Sequence, residues 1–493
     1  MKTAVVIGAG IAGIAASIRM AKKGYQVAVY EANDYPGGKL SAFTLGKYRF
    51  DAGPSLFTMP DYVTELFDLS EEDHRDSFNF KKKEIACKYF WEDQTQITAY
   101  DNQDLFFKEI QEKLHIDTKP LKKYLTRAKK KFDLTAPLFL EKSLHQLKTF
   151  LNLDTLKALS SLSLYEINQT LHSVNSKQLK EPHLIQMYDR YATYNGSSPF
   201  KTPGIMTLVQ HLEQEFGTFI PEGGMEQISN SLYELAKRQG VKFHFSEQVE
   251  EIIIDEGRIT GVVVNNVKIN YDVIISNMDI YPTYRKLLKN KPAPERVLAQ
   301  ERSSSAVIFY WGIKHSFPDL DLHNIFFSND YKNEFDFIFN KNELSDDFTV
   351  YVNISSKDVP KDAPDGCENW FVMINTPSDK GQDWDVITTE LRKRVIHKLN
   401  KILKTDLEKF IEVEQVLTPP LIEEKTASYG GALYGSSSNN KMAAFLRHPN
   451  FTSKIKNLYF CGGSVHPGGG IPLCLLSAKI TTDLIPKGTD DTD

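Results

Sequence analysis

The sequence predicts an α/β protein in which a Rossmann-like lobe is joined to a mixed-sheet and helical second lobe. Three observations predict it. A glycine-spaced turn separates an apolar run from a helical pattern at the start of the chain, runs rich in β-branched and aromatic residues recur in the second half, and 493 residues are enough to divide into more than one lobe.

The first element is the run Ala4 to Ile7, continuous in apolar residues as a buried parallel strand is, and Ile11 to Lys23 follows with helical spacing. Gly8, Gly10 and Gly13 fall on the turn between them, with Ala12 on the same turn. Gly8 permits the tight bend, Gly10 lets a pyrophosphate approach the helix amino end, and Gly13 lets helix and strand pack closely. Glu31, followed by Ala32, closes the next apolar run and is placed to accept a ribose hydroxyl, which favours a nucleotide without a 2′-phosphate. After it come Gly37-Gly38, the basic Lys39, and the segment Asp51-Ala52-Gly53-Pro54-Ser55-Leu56. The stretch CKYFWEDQTQITAY reads as strand, and helix is expected from about Lys108. GVKFHFSEQV, ending at Val249, reads as a strand leading to a hairpin that turns at Glu256-Gly257. YDVIISNMD returns as a strand ending near Asn277 and Met278. SAVIFYWGI, FTVYVNIS and NWFVMINTP suit an antiparallel sheet that would wall a long apolar tunnel. Near the end, NLYFCGGSVHPGGGIPLCLLSAK gives a buried strand, Gly462-Gly463, and a glycine-rich turn into an apolar helix.

This order of motifs resembles the two-dinucleotide-binding-domain flavoproteins. VVIGAGIAG, PGGK, FDAGPSLF and above all GGSVHPGGGIPLCLLSAK are similar to the carotenoid desaturase family of phytoene-desaturase type, within the amine-oxidase-like fold, and most like its hydroxycarotenoid 3,4-desaturase branch. The likeness runs from Thr3 to about Leu484. It implies FAD, with Gly38 close to the cofactor, Lys39 neutralising phosphate, and Pro54, Ser55 and Leu56 beside the flavin. It implies backbone contacts from Val249 to the adenine part, a place near the cofactor for Asn277 and Met278, and contacts from Gly463, Ser464 and Pro472. Amides of Gly470 and Ile471 would face the flavin carbonyls, as helix amino ends face anions. Two positions depart from the family. Lys39 stands where many relatives have arginine, although a lysine still serves phosphate, and Ser464 stands where many flavoproteins have an acid.

On this reading residues 1–75, 217–285 and 420–493 build the FAD lobe. Residues 76–216 and 286–419 build the substrate lobe, with 115–200 its helical, membrane-contacting part. Charge is nearly balanced, 59 basic against 64 acidic residues, which gives no reason to expect nucleic acid. Cys87, Cys367, Cys461 and Cys474 lack metal spacing and read as reduced core residues.

No run is long enough to span a bilayer. A carotenoid substrate would therefore be met from outside, by a cytoplasmic protein held peripherally at the inner membrane face. Two helices are candidates for that contact. One carries Leu121, Tyr124, Leu125, Ala128 and Phe132 on one face with Lys122, Lys123, Arg127 and Lys129 to Lys131 elsewhere. The other carries Leu140, Leu144, Leu147 and Leu151.

Desaturation needs a hydride acceptor, which FAD supplies, and a protein that positions the bond and excludes water. Arg190, Tyr191 and Tyr194 are candidates to shape the pocket or bond a terminal hydroxyl, and His466 lies beside the glycine turn; no catalytic acid or base is named. An acceptor such as a quinone or oxygen would reoxidise the flavin. Phytoene desaturation, carotenoid cis-trans isomerisation and flavin-free binding of the GDP-dissociation-inhibitor kind stay open as alternatives.

Overall fold

The alternation of side chains along the first strand sets the architecture. In a computed structural model that describes residues 1–139, 142, 145, 162–289, 291–440 and 447–488, Thr3–Ile7 is the middle of five parallel strands. Their order is Leu458–Phe460, Val273–Ser276, Thr3–Ile7, Gln26–Tyr30 and Lys242–His244. Ala4 and Val6 point to the face covered by helices Ile11–Lys22, Glu226–Arg238 and Ile471–Asp483. Val5 and Ile7 point to the other face, where Ile252, Ile259 and Val262 of an antiparallel meander cover them. Burial on both faces is why this strand reads as an unbroken apolar run. The meander joins Val249–Asp255, Arg258–Val264 and Val267–Asn270. Its tight turns hold Glu256-Gly257 and Asn265-Asn266 at positive φ, the conformation that two-residue hairpin loops require.

Helix Ile11–Lys22 sits close enough to the first strand that a Cβ on Gly13 would lie 2.1 Å from the Gly8 carbonyl oxygen. Only glycine allows this approach. Buried Ile14, Ala15 and Ile18 fill the contact beyond it.

The second sheet has seven strands, in the order Ile411–Leu417, Ser305–Ile313, Glu368–Thr376, Val350–Asn353, His323–Phe326, Ile85–Phe90 and Gln96–Tyr100. All pairs are antiparallel except His323–Phe326 with Ile85–Phe90, so the sheet is mixed at that seam and not wholly antiparallel. Two of its strands escaped the sequence reading. Ile411–Leu417 is an edge of alternating charge, and His323–Phe326 has four residues of which two are polar. One face packs Val307, Phe309 and Trp311 under helix Trp384–Leu403. The other turns Ile308, Tyr310 and Phe371 toward a central cavity.

Three helical expectations change. The helix expected from Lys108 spans Gln103–Leu114, because the Asn102 side chain accepts the Leu105 amide at 3.0 Å and starts the helix one turn earlier. In helix Lys119–Phe139, Leu121, Tyr124, Ala128 and Phe132 are interior, and Leu121 and Tyr124 belong to the core that also holds Tyr188 and Met187. The apolar face expected to meet a membrane is therefore covered by protein. Lys131, expected on the solvated face, is 1% exposed, paired with Glu166 and bonded to Thr207 Oγ1 at 2.6 Å. Leu140, Leu144, Leu147 and Leu151 lie outside the described residues.

Candidate functional site

The site begins where two glycine turns meet. Gly10 caps helix Ile11–Lys22 with no side-chain bond, so the amides of its first turn point into a cavity of about 1020 Å³. The Gly37 amide donates to the Ala9 carbonyl at 2.8 Å, which brings the second turn against the first. A Cβ on Gly38, whose φ is 58°, would lie 3.4 Å from Gly10 Cα. Glu31 stands at the end of its strand and is buried. Its Oε2 accepts the Ala9 amide at 2.7 Å and its Oε1 accepts the Asn33 amide at 2.9 Å, which fixes the carboxylate at the cavity wall beside Ala32.

A second helix aims at the same space. Ile471–Asp483 starts at Gly470, which has φ 107° and no side-chain cap, with Pro472 in its first turn. The φ value is one that favours glycine. Between the two helix ends, Asn277 Nδ2 donates to the Gly8 carbonyl at 3.3 Å, and Gly462 approaches the same side chain from the other side.

Two basic groups stand at this end. Lys39 Nζ donates to the Leu433 carbonyl at 3.0 Å, and burial pulls its pKa down to about 8. Arg447, 3% exposed, donates from Nη1 to the Tyr434 and Gly463 carbonyls at 2.6 and 3.1 Å, and burial pulls it down to about 10. Among the described residues it has no carboxylate within ion-pair distance. Both shifts have the same cause, positive charge held out of water without enough negative charge beside it.

Two open helix amino ends, glycine turns joined by the Gly37–Ala9 bond, two cations and a ribose-accepting carboxylate form one cradle. That donor set suits an extended dinucleotide phosphate, and the residues present fit FAD. Gly8, Gly10, Ala12, Glu31, Ala32, Gly38, Lys39, Pro54, Ser55, Leu56, Val249, Asn277, Met278, Gly463, Ser464, Gly470, Ile471 and Pro472 all line the cavity. Gly13 lies behind it, between helix and strand. The hydroxyl oxygen of Ser464, where relatives carry an acid, accepts the Ile280 amide at 2.9 Å and so ties the loop to a neighbouring turn.

Away from the cradle the wall becomes apolar, with Met206, Val209, Leu212, Ile308, Phe371 and Met373. One patch is polar. Arg190 Nη2 donates to Glu213 Oε1 at 3.2 Å and to Tyr89 Oη at 2.6 Å, Arg190 Nη1 donates to Tyr194 Oη at 2.9 Å, and Tyr194 donates to Glu213 Oε2. Tyr191 donates to Glu213 Oε1 at 2.8 Å from behind the wall and does not line the cavity, which removes it from the substrate-side candidates.

Glu213 was missed in the sequence. The available signal was helical spacing, since Glu213 stands four residues after buried Val209 and shares its face. His323, missed with its strand, accompanies it. His323 Nδ1 lies 2.7 Å from Tyr351 Oη, which lies 2.7 Å from Ser55 Oγ.

His466 lines the cavity too, but its Nε2 donates to the Lys142 carbonyl at 2.9 Å and burial pulls its pKa down to about 4. The Nε2 bond fixes the ring, and a pKa held this low makes its other nitrogen a weak proton acceptor, which suits a loop-positioning role.

Compared with known proteins, residues 11–485 match the family model described as flavin containing amine oxidoreductase. The chain is 55% identical, over 487 residues and 99% of each chain, to a 1-hydroxycarotenoid 3,4-desaturase of Flavobacterium sp. (strain P99-3). It is 33% identical, over 98% of each chain, to a 4,4′-diaponeurosporene oxygenase of Staphylococcus aureus (strain MSSA476). Among solved structures it resembles cyclohexylamine oxidase from Brevibacterium oxydans IH-35A, with a TM-score of 0.63 at 15% identity over 98% of each chain, a likeness of fold alone.

Proposed function

The chain belongs to the flavin-containing amine oxidoreductase family, and on that footing we propose that it is an FAD-dependent carotenoid desaturase that introduces the 3,4 double bond of a 1-hydroxycarotenoid. The observation that carries this reading is the 55% identity to a 1-hydroxycarotenoid 3,4-desaturase along 99% of both chains. The cavity supports it, because the dinucleotide cradle opens without a break into a compartment walled by aliphatic and aromatic side chains.

In this site the two glycine turns, Glu31 and Lys39 would hold the nucleotide part of FAD, and the amino end of Ile471–Asp483 would lie toward its flavin part. Bound FAD supplies the two-electron acceptor that desaturation requires. The protein positions the substrate bond and keeps water from it, a task for which an apolar wall suffices. His466, bonded and neutral, takes no proton in this scheme.

A carotenoid dissolves in lipid, and no described helix is long and apolar enough to cross a membrane. The reading therefore includes a cytoplasmic protein that collects substrate at the inner membrane surface, with exposed Lys122, Lys123 and Lys130 as its attraction for anionic lipid. Reoxidation by a quinone or oxygen completes the cycle.

The test is expression in hosts that accumulate phytoene, lycopene, or acyclic and monocyclic 1-hydroxycarotenoids. A product two hydrogens lighter and shifted to the red is expected from the hydroxylated pigments. Conversion of phytoene alone would overturn the 3,4 assignment, gain of oxygen mass would favour the chemistry named for the staphylococcal relative, and turnover without an acceptor would mean isomerisation.

A further inference from the structure

A hydrocarbon tunnel has no use for charge, yet one part of this wall is built from it. Glu213 is 3% exposed and Arg190 6%. Holding such a pair out of water is costly, and apolar side chains of the same volume often serve stability as well. Packing alone therefore gives no reason for the cluster to stand at the cavity.

The cluster has two arms. In the first, Tyr194 accepts from Arg190 Nη1 and donates to Glu213. In the second, Tyr351 lies between Ser55 Oγ and His323 Nδ1, each at 2.7 Å, with Asn353 Nδ2 3.3 Å from the same nitrogen. The charge of Glu213 acts on His323 and that of Arg190 acts on Tyr351, so the arms share one neighbourhood. Tyr194 and Tyr351 both line the cavity and are only partly buried, whereas Tyr89 and Tyr191 stand behind it.

The chemistry of a ligand for this patch follows from its charge. Arg190 and Glu213 cancel, so the patch asks for no ion. A phenol oxygen has one proton and two lone pairs, and Tyr194, with one bond accepted and one donated, keeps a lone pair free. A neutral alcohol carried on a hydrocarbon suits such groups.

We propose that the hydroxyl of the substrate is recognised by the phenol groups of Tyr194 and Tyr351, held in place by Arg190–Glu213 and by Ser55–His323. The inference rests on the hydroxycarotenoid reading above and adds how that substrate is told apart. It agrees with the geometry of the reaction. In a 1-hydroxycarotenoid three bonds separate the hydroxyl oxygen from C3, so a group that reads the hydroxyl must adjoin the bond that is oxidised. The Tyr351–Ser55 bond places this patch against the Asp51–Leu56 loop, the one that the family resemblance sets beside the flavin.

The experiment compares FAD-loaded wild type with Tyr194→Phe, Tyr351→Phe and the double variant. Equilibrium binding and steady-state kinetics are measured on a 1-hydroxycarotenoid and on the same polyene lacking the hydroxyl. Each single variant should lose about tenfold in affinity and in kcat/KM for the hydroxylated pigment, as removal of one buried hydrogen bond does. Neither should change its binding of the other pigment or its flavin content.

Tyr191→Phe removes a bond to the same Glu213 from behind the wall and should leave the discrimination in place. Equal weakening of both pigments, an unchanged preference, or an effect of Tyr191→Phe as large as that of Tyr194→Phe would overturn the proposal. Wild type that desaturates both pigments equally would also overturn it while leaving the desaturase reading intact. Wild type that binds the hydroxylated pigment selectively but does not desaturate it would remove the reaction and leave the hydroxyl site standing.

Discussion

Alanine at Gly10 and alanine at Gly13 should fail in opposite ways, although the two residues belong to one turn. A methyl carbon on Gly13 would lie 2.1 Å from the Gly8 carbonyl oxygen, a backbone atom of the turn that follows the central strand. Carbon and oxygen rest at about 3.3 Å or more, so the helix must draw back by about 1 Å. Ile14, Ala15 and Ile18, each 0% exposed, would lose contact as it does so. Overpacking of this kind costs about 3 kcal/mol.

Gly10 has φ −67° and ψ 167°, which any residue adopts, and its methyl would meet only the Asn277 amide nitrogen, at 2.7 Å. That nitrogen ends a side chain that can turn, at the loss of a 3.3 Å bond to the Gly8 carbonyl. Its cost, under about 1 kcal/mol, is offset by the ~0.4–1 kcal/mol gained when an unfolded glycine is replaced. The same methyl, however, stands beside Asn277 on the cavity wall, between the two helix amino ends where the pyrophosphate would approach. Overfilling there by about 2 kcal/mol corresponds to roughly a 30-fold loss of FAD affinity.

The assay is urea unfolding of FAD-stripped protein by circular dichroism, together with FAD titration by flavin fluorescence. Gly10→Ala should unfold like wild type and bind FAD poorly, and Gly13→Ala should unfold early. A Gly10→Ala protein as unstable as Gly13→Ala, or one that binds FAD normally, would refute the division of roles.

Three further outcomes are expected. Lys131→Glu sets a carboxylate at a buried position against Glu166 and should cost about 3–5 kcal/mol in urea unfolding, the range for breaking a buried pair. The exposed changes Lys123→Glu with Lys130→Glu should leave stability unchanged and lower co-sedimentation with anionic vesicles; unchanged sedimentation would remove this helix from membrane attachment. Burial holds His323, His448 and His466 each at about 4, below the ordinary imidazole value. The unfolded chain then binds more protons than the folded one between about pH 4 and 6.5, so their contribution is complete above pH 6.5 and is lost as pH falls through that window. His448→Gln should therefore shrink the loss of stability between pH 7.5 and pH 5 by about 2 kcal/mol, and an equal pH dependence in the variant would refute the assignment.

The cofactor cradle was legible because its requirements are local. A turn that must pass a phosphate needs glycine at fixed offsets, and Gly8, Gly10, Gly37 and Gly38 are written at those offsets whatever surrounds them. Lys131 shows the limit of such reading. Periodicity placed it with Lys129 and Lys130 on a solvated face, but Glu166 and Thr207, 35 and 76 residues away in the chain, bury it. The second sheet was legible where its strands are long and apolar, as in Ser305–Ile313. It was missed at His323–Phe326, whose His323 is held by Tyr351 and Asn353, 28 and 30 residues away in the chain.

The sequence by itself determined the class of fold, the dinucleotide turn and the flavin family, since each depends on residue types at short, fixed spacing. Only the tertiary structure decided which side chains share the polar patch of the cavity wall. Glu213, Tyr351, His323 and Arg190 come from four distant segments, and a buried charge declares its purpose only through the partners that folding brings to it. It also decided that the lysine-rich helix turns its apolar face inward, because an amphipathic stripe fits a protein core or a membrane equally well until the rest of the chain has taken its place.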